Sequence, residues 1–109
     1  MNVLVIEDEY FVADDLCRAL RAEGMTVFGP AASGAQAREI IEGAQIDLAI
    51  VDLNLGGEQA HELVGWIYER GIAVTVVTGY DGEMLAALPE GVSVMQKPVA
   101  TAALIALLR

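Results

Sequence analysis

The sequence predicts an α/β fold: a doubly wound, five-stranded parallel sheet in a single domain. Short apolar runs bounded by glycine, proline or acidic residues recur along the chain, and segments with helical spacing separate them. Regular alternation of strand and helix is typical of successive right-handed crossovers with helices on both faces of the sheet. The chain has 109 residues, 55% of them hydrophobic, which allows one compact core and not two.

Five apolar runs are predicted as strands. The first, third and fourth runs are almost continuous in Val, Ile, Leu and Ala, as expected of strands buried on both faces of a parallel sheet. The second and fifth runs are less purely apolar and suit more lateral positions. The runs are Val3 to Ile6, Met25 to Phe28, Leu48 to Val51, Ala73 to Val77 and Val92 to Met95.

The first helix is predicted between the first two strands. Val12, Leu16, Ala19 and Leu20 recur at i, i+4, i+7 and i+8, and Gly24 follows as a stop signal. The single cysteine lies in this helix and is expected to pack in the core. One cysteine can form no disulfide within the chain, and this one has no nearby partner with which to hold a metal.

Two further amphipathic helices follow. The second, marked by Ala37, Ile40 and Ile41, has Ser33 as its expected N-cap and ends near Gly43. The third is marked by the apolar residues Ala60, Leu63, Val64 and Ile67 and ends at Gly71.

The last two predicted helices are less regular. The fourth covers Glu83 to Leu88 and is closed by Pro89, and the fifth runs from about Thr101 to the end and is apolar on nearly every side. A helix that is apolar all round is buried on more than one side. We therefore expect a second copy of the chain or a downstream protein to cover the region of the fourth and fifth helices.

The charge balance excludes several classes of function. Sixteen acidic residues against six basic ones give a net charge of -10, so direct binding of nucleic acid or of an anionic membrane surface is not expected. No apolar run approaches the ~20 residues of a membrane span, and the N-terminus has no basic segment typical of a signal peptide. The expected location is the cytoplasm. No output domain is expected, because the chain stops in its fifth helix.

Chemically reactive side chains follow the apolar runs. Glu7 and Asp8 come after the first, Asp52 after the third, Thr78 after the fourth and Lys97 after the fifth. Because the carboxyl ends of parallel strands border one crevice, these side chains are expected to converge. Each residue alone would be ordinary turn or helix-end chemistry, and only their joint placement indicates a site.

Crowded carboxylates repel one another unless a hard divalent cation takes them as ligands, and Mg²⁺ is the natural candidate. A carboxylate beside Mg²⁺ can also attack phosphorus and form an aspartyl phosphate. Lys97, which is the only lysine in the chain, and the Thr78 hydroxyl would then contact the phosphoryl oxygens.

With Glu7-Asp8, Asp52, Thr78 and Lys97-Pro98 at these strand ends, the whole chain, residues 1–109, resembles the receiver domain of two-component response regulators. The implied fold is flavodoxin/receiver-like, and the implied role is a signalling module with no separate substrate to turn over. By this resemblance Asp52 accepts a phosphoryl group from a phosphohistidine on a sensor histidine kinase or a histidine phosphotransfer protein.

The resemblance also implies a role for each site residue. Asp8 and Asp52 bind Mg²⁺ directly, Glu7 binds it through water, and Asn54 contributes its backbone carbonyl. Thr78 is the switch hydroxyl and Lys97 the cation that pairs with the phosphoryl group. The Lys97–Pro98 peptide bond is typically cis in this family.

The chain departs from the family pattern at Val94, where receivers commonly carry Tyr or Phe. Gly79-Tyr80 after the switch threonine is similar to the FAT GUY group of stand-alone receivers, which also lacks that aromatic. We hypothesise that Tyr80 or the Gly79 hinge takes over part of the signalling, or that Tyr80 shields the aspartyl phosphate from water.

Three alternatives remain open from the residues. The chain can be part of a longer hybrid kinase or regulator. A Mg²⁺-dependent phosphatase with an aspartyl nucleophile shares the acidic pocket, but Glu7-Asp8-Glu9-Tyr10 does not match the DxDx motif of haloacid-dehalogenase relatives. A flavin-binding domain is the third alternative, but this chain lacks the Thr- and Ser-rich phosphate loop that such a domain has after its first strand.

His61 is expected to be solvated, and Leu55-Gly56-Gly57 is interpreted as the loop that starts the third helix.

Overall fold

The computed structural model describes residues 1–55, 58–79, 88–97 and 100–108. They form a five-stranded parallel sheet in the order β2-β1-β3-β6-β7 and a separate two-stranded sheet of β4 and β5. The strands are β1 (Asn2–Ile6), β2 (Thr26–Ala31), β3 (Leu48–Asp52), β4 (Asn54–Leu55), β5 (Glu58–Gln59), β6 (Ala73–Thr78) and β7 (Ser93–Gln96). The helices are α1 (Tyr10–Ala22), α2 (Gly34–Gly43), α3 (His61–Glu69) and α4 (Thr101–Leu108).

The sheet confirms the predicted α/β class and the lateral positions of the second and fifth predicted strands. All five residues of β3, the middle strand, are buried. Its parallel register pairs Ile6 with Val51 on one side and Asp52 with Val77 on the other. The carboxyl ends of the central strands therefore lie side by side.

Two apolar cores lie on opposite faces of the sheet, as a doubly wound fold requires. Successive residues of β1 alternate between them: Leu4 packs in the core that contains Ile67 of α3, and Val5 packs in the core that contains Leu20 of α1 and Leu104 of α4. Helices α1 and α4 therefore share one face of the sheet, next to the ends of β1 and β3.

Helix α1 is rotated slightly from the predicted apolar stripe. Its buried residues are Ala13, Cys17 and Leu20, whereas Val12 is 45% exposed. Adjacent residues in a helix are ~100° apart around its axis, so Val12 lies at the border of the inward face. The burial of Cys17 confirms the prediction that it packs in the core, and this burial raises the pKa of the thiol.

The second strand and the second helix are connected by a tightly fitted segment. Strand β2 continues beyond the predicted end at Phe28, through a cis Gly29–Pro30 bond. Gly29 has a φ of +97°, and a Cβ there would lie 2.7 Å from the Val5 carbonyl oxygen, so only glycine fits. The predicted N-cap is confirmed, since the Ser33 hydroxyl accepts a hydrogen bond from the Gln36 N–H at 3.2 Å.

The segment after Asp52 differs from the prediction. It was interpreted as a plain loop through Leu55-Gly56-Gly57, but the residues on either side of the two glycines pair as antiparallel strands. Two residues per strand are too few to show an alternating pattern in a sequence. Gly56 and Gly57 themselves lie outside the described residues.

Other predictions fall partly outside the described residues. Most of the predicted fourth helix does, and only Leu88 of it is described. The predicted fifth helix is α4, which has Leu104 buried. Among the helices of the described residues, none has both the length and the hydropathy needed to cross a membrane.

Candidate functional site

Three carboxylates meet at the carboxyl ends of β1 and β3. Glu7 and Asp8 directly follow β1, and Asp52 is the last residue of β3. One oxygen from each carboxylate lies within 4.8 Å of the others. Glu7 is 7% exposed and Asp52 is 4% exposed, whereas Asp8 is exposed. The arrangement is a pocket with two carboxylates in its wall and one at its rim.

Both oxygens of the Asp52 carboxylate are held by hydrogen bonds. Its Oδ1 accepts from the Asn54 main-chain N–H at 3.1 Å. Its Oδ2 accepts from Lys97 Nζ, also at 3.1 Å. These two bonds fix the orientation of the carboxylate plane and leave its remaining lone pairs to face other groups in the pocket.

The backbone around this site is fixed by bonds between neighbouring strand ends. The Leu53 N–H donates to the Val77 carbonyl at 3.0 Å, and the Lys97 N–H donates to the Thr78 carbonyl at 2.8 Å. Thr78 ends β6 and is 1% exposed. The sheet thus places Thr78 and Lys97 at the same edge as Asp52, as the sequence predicts.

The crowding of acidic groups changes the proton affinity of Glu7. Burial raises its pKa to about 7, and the nearby Asp52 carboxylate contributes through its charge and a hydrogen bond. The Glu9 N–H, which donates to Glu7 Oε1 at 3.1 Å, opposes this shift. Near neutral pH, Glu7 is therefore protonated in a substantial fraction of the molecules, and an added positive charge would lower that fraction.

The pKa of Lys97 is raised as well, which for an amine favours the charged form. Burial acts to lower its pKa, but the hydrogen bond to Asp52 and the charges of Asp52 and Glu7 outweigh it, so the pKa lies above its usual value. The side chain of Lys97 is 38% exposed, against 3% for Asp52. Lys97 is therefore a charged group at the mouth of the pocket, with its ammonium directed inward.

The donor set of the pocket fits a hard divalent cation. Glu7, Asp8 and Asp52 supply carboxylate oxygens within the span of one ion. Mg²⁺ takes oxygen ligands of this kind and keeps several waters.

Some residues singled out in the sequence are not placed at the site. Tyr80 and Pro98, and with Pro98 the predicted cis bond, lie outside the described residues. Val94 lies on the edge strand β7 and is 38% exposed. His61 is half-buried at the start of α3.

The structure also shows a surface feature that the sequence reasoning missed. Tyr10, Phe11 and Val12 begin α1 directly after the acidic residues, and they are 69%, 81% and 45% exposed. The Tyr10 and Phe11 rings make an edge-to-face contact with centroids 5.5 Å apart. The available signal was the position of Tyr10 and Phe11 outside the predicted apolar stripe of this helix.

A cavity of about 220 Å³ lies next to the carboxylates, between α1 and α4. Glu7 and Asp52 border it on the polar side, and Leu16, Ile50 and Leu104 are among its apolar walls. Because it shares both carboxylates with the pocket, it is continuous with the candidate site.

Comparison with known proteins gives a consistent family. The model of the response regulator receiver domain family matches residues 3–109. The aerobic respiration control protein ArcA of Escherichia coli K12 is 33% identical over 84 residues, which cover 76% of this chain and 35% of ArcA. The chain thus spans about a third of the length of this curated relative.

Solved receiver domains have the same fold. The receiver domain of the hybrid histidine kinase CckA superposes with a TM-score of 0.81 and 29% identity, over 99% of this chain and 95% of that one. The receiver domain of the response regulator TorR, of the TMAO respiratory system, superposes with a TM-score of 0.84 and 27% identity, over 98% and 92% of the two chains.

Proposed function

The chain belongs to the response regulator receiver domain family, and on this premise we propose that it accepts a phosphoryl group onto Asp52 from a phosphohistidine. The donor is a sensor histidine kinase or a histidine phosphotransfer protein. One observation carries the proposal: the buried Asp52 carboxylate is held by Lys97 and by the Asn54 N–H beside a second buried acid.

The proposed transfer is a single displacement at phosphorus. An Asp52 carboxylate oxygen forms the new O–P bond as the N–P bond of phosphohistidine breaks, and the electron pair returns to the imidazole nitrogen, which takes up a proton. The Lys97 ammonium pairs with the phosphoryl oxygens, and the Thr78 hydroxyl donates a hydrogen bond to them. The chain is its own phosphoryl acceptor, so it acts as a signalling module without separate substrate turnover.

The proposed cofactor is Mg²⁺, which when bound neutralises negative charge on the transferred group. Asp8 and Asp52 would hold it directly, Glu7 through a water molecule, and Asn54 through its main-chain carbonyl. The support is the cluster of three carboxylates, whose oxygens lie within the span of one ion.

Phosphorylation is tested by measuring intact mass after incubation with acetyl phosphate and Mg²⁺. We expect one phosphoryl adduct on the wild type and none on Asp52→Ala or without Mg²⁺. Asp47→Ala is the matched control, because Asp47 lies just before the other end of the same strand and is exposed. An adduct that persists in Asp52→Ala would contradict the proposal. So would a wild-type protein that forms no adduct with either acetyl phosphate or phosphorylated kinase.

The output is proposed to be a protein contact through the region of the predicted fourth and fifth helices. In α4 the residues Ala102, Ala103, Ala106 and Leu107 are exposed although they are apolar, and a second copy or a downstream protein would cover them. Sedimentation over a concentration series is expected to show self-association if the partner is a second copy. A strict monomer at high concentration would exclude that partner.

Two aspects of the wider protein are also proposals. The module is placed in the cytoplasm, and with a net charge of -10 it is not itself a nucleic-acid binder. The similarity to a hybrid kinase receiver and the short span on ArcA support the alternative that the chain is part of a longer kinase or regulator. Intact-mass analysis of the natural gene product would show whether this module occurs alone or within a longer protein.

A further inference from the structure

The short ladder of β4 and β5 directly follows Asp52. It pairs Asn54 with Gln59 and Leu55 with Glu58, and it continues toward α3 through a bond of 2.7 Å from the Ala60 N–H to the Leu53 carbonyl. In an antiparallel ladder, hydrogen-bonded and non-hydrogen-bonded pairs alternate. A bond from the Ala60 N–H to the Leu53 carbonyl is one of the two that flank a non-hydrogen-bonded pair, so Asn54–Gln59 is that pair and Leu55–Glu58 is the hydrogen-bonded pair next to it.

This register decides which way the main chain of Asn54 faces. In a non-bonded pair, the N–H and C=O of a residue both turn away from the partner strand. The Asn54 N–H accordingly donates to Asp52 Oδ1 at 3.1 Å rather than to β5. The Asn54 carbonyl lies on the same edge of β4, so it also faces the carboxylate side.

We propose that the pairing register of β4 and β5 is what presents the Asn54 carbonyl to the bound cation, so that the ladder sets the affinity for Mg²⁺. This inference rests on the proposed function and deepens it by identifying a positioning element outside the carboxylates. Glu58 acts in this proposal through the main-chain bonds of its pair with Leu55.

The same ladder couples two parts of the site. One residue, Asn54, orients Asp52 through its N–H and faces the cation through its carbonyl. In a hydrogen-bonded pair, both groups of Asn54 would instead face β5 and point away from the pocket. Removing a group that orients a metal ligand typically lowers the affinity for the metal 10- to 100-fold.

Two proline substitutions separate this role from a general effect on the loop. Glu58→Pro removes an N–H that bonds Leu55 across the ladder, whereas Gln59→Pro removes an N–H that faces away from it. We expect Glu58→Pro to weaken Mg²⁺ binding at least ~10-fold by isothermal titration calorimetry. Gln59→Pro is expected to stay within ~2-fold of the wild type.

A second measurement does not depend on the variants folding. In the wild type, amide exchange measured by NMR is expected to be slow at Leu55 and Ala60, whose N–H groups bond across the ladder, and faster at Gln59. Fast exchange at all three amides would overturn the proposal, as would an equal change of Mg²⁺ affinity in the two proline variants. The proposed function fails separately, if the wild type itself forms no phosphoryl adduct.

Discussion

Asp52 and Lys97 show how single residues acquire their chemistry from burial. Asp52 is almost fully enclosed, and an unpaired carboxylate in such a place would be costly. Lys97 supplies the compensating charge at 3.1 Å, and the Asn54 N–H supplies the second bond. A phosphoryl group on Asp52 would enter a position where a cationic donor is already in place, so little reorganisation would accompany transfer.

Glu7 is the residue whose environment predicts a dependence on pH. Its pKa in the folded protein is about 7, above its ordinary value of 4.5, so folding favours the protonated form. The stability that this contributes is complete below pH 4.5 and is lost as the pH rises through 7. In the absence of metal, Glu7→Gln removes this loss because an amide does not ionise.

We therefore expect metal-free Glu7→Gln to be more stable than the wild type at pH 8 by ~2 kcal/mol, and to differ little at pH 5. Urea unfolding at the two pH values measures this difference. Glu42→Gln, at an exposed position of α2, is the matched control and is expected to change stability by less than ~0.5 kcal/mol. If the two substitutions change the free energy of unfolding equally at pH 8, Glu7 is not a buried acid with a raised pKa.

At the level of elements, the sequence predicts the strands of the sheet well and the small features around the site poorly. Runs such as Val3 to Ile6 are buried on both faces and therefore leave an unbroken apolar signature. The β4–β5 ladder has two residues on each strand, and its pairing depends on main-chain bonds that no side-chain pattern reports. Val12 was assigned to the buried face because a helical repeat does not define where that face ends.

The candidate site was predictable in its members but not in its electrostatics. Strand ends of a parallel sheet meet at one edge, so Glu7, Asp52 and Lys97 could be expected together from their order alone. Whether Glu7 is buried depends on the packing around it, and burial is the largest cause of its raised pKa. The sequence reasoning treated Glu7 and Asp8 as neighbours in one cluster, whereas the structure buries the first and exposes the second.

The start of α1 predicts how a protein donor is recognised. Phe11 is 81% exposed and stands with Tyr10 beside the acidic pocket, and large apolar residues exposed at a functional rim are typical of contact surfaces. We expect Phe11→Ser to slow phosphoryl transfer from a phosphorylated histidine phosphotransfer protein at least ~10-fold. A loss of this size is typical when one well-packed interface side chain is truncated. Transfer from acetyl phosphate, which needs no docking surface, is expected to be unchanged.

Tyr68→Ser is the matched control for Phe11→Ser, because Tyr68 is an aromatic residue on α3 that is 40% exposed. Transfer rates are measured by the appearance of the adduct in intact-mass spectra over time. If Phe11→Ser slows transfer from the protein donor and from acetyl phosphate equally, Phe11 acts on the pocket itself and not on docking. If Tyr68→Ser slows the protein donor as strongly, the surface at the start of α1 has no special role.

At the scale of the whole molecule, an excess of acidic residues makes cations stabilising in two distinguishable ways. The net charge of -10 favours any salt, because screening weakens repulsion throughout the fold. The cluster of Glu7, Asp8 and Asp52 favours a divalent ion at one place. Only the second effect depends on a particular side chain, so a comparison at constant ionic strength separates them.

We expect MgCl₂ to raise the thermal midpoint more than NaCl of equal ionic strength does. A ligand at ten times its Kd adds about 1.4 kcal/mol to the free energy of unfolding, a shift of several degrees in a domain of this size. Asp8→Asn is expected to abolish the difference between the two salts and to keep the response to NaCl. Glu42→Gln, which removes the same charge from an exposed position on α2, is expected to keep the difference. An equal gain from MgCl₂ in both variants would mean that the ion acts by screening alone.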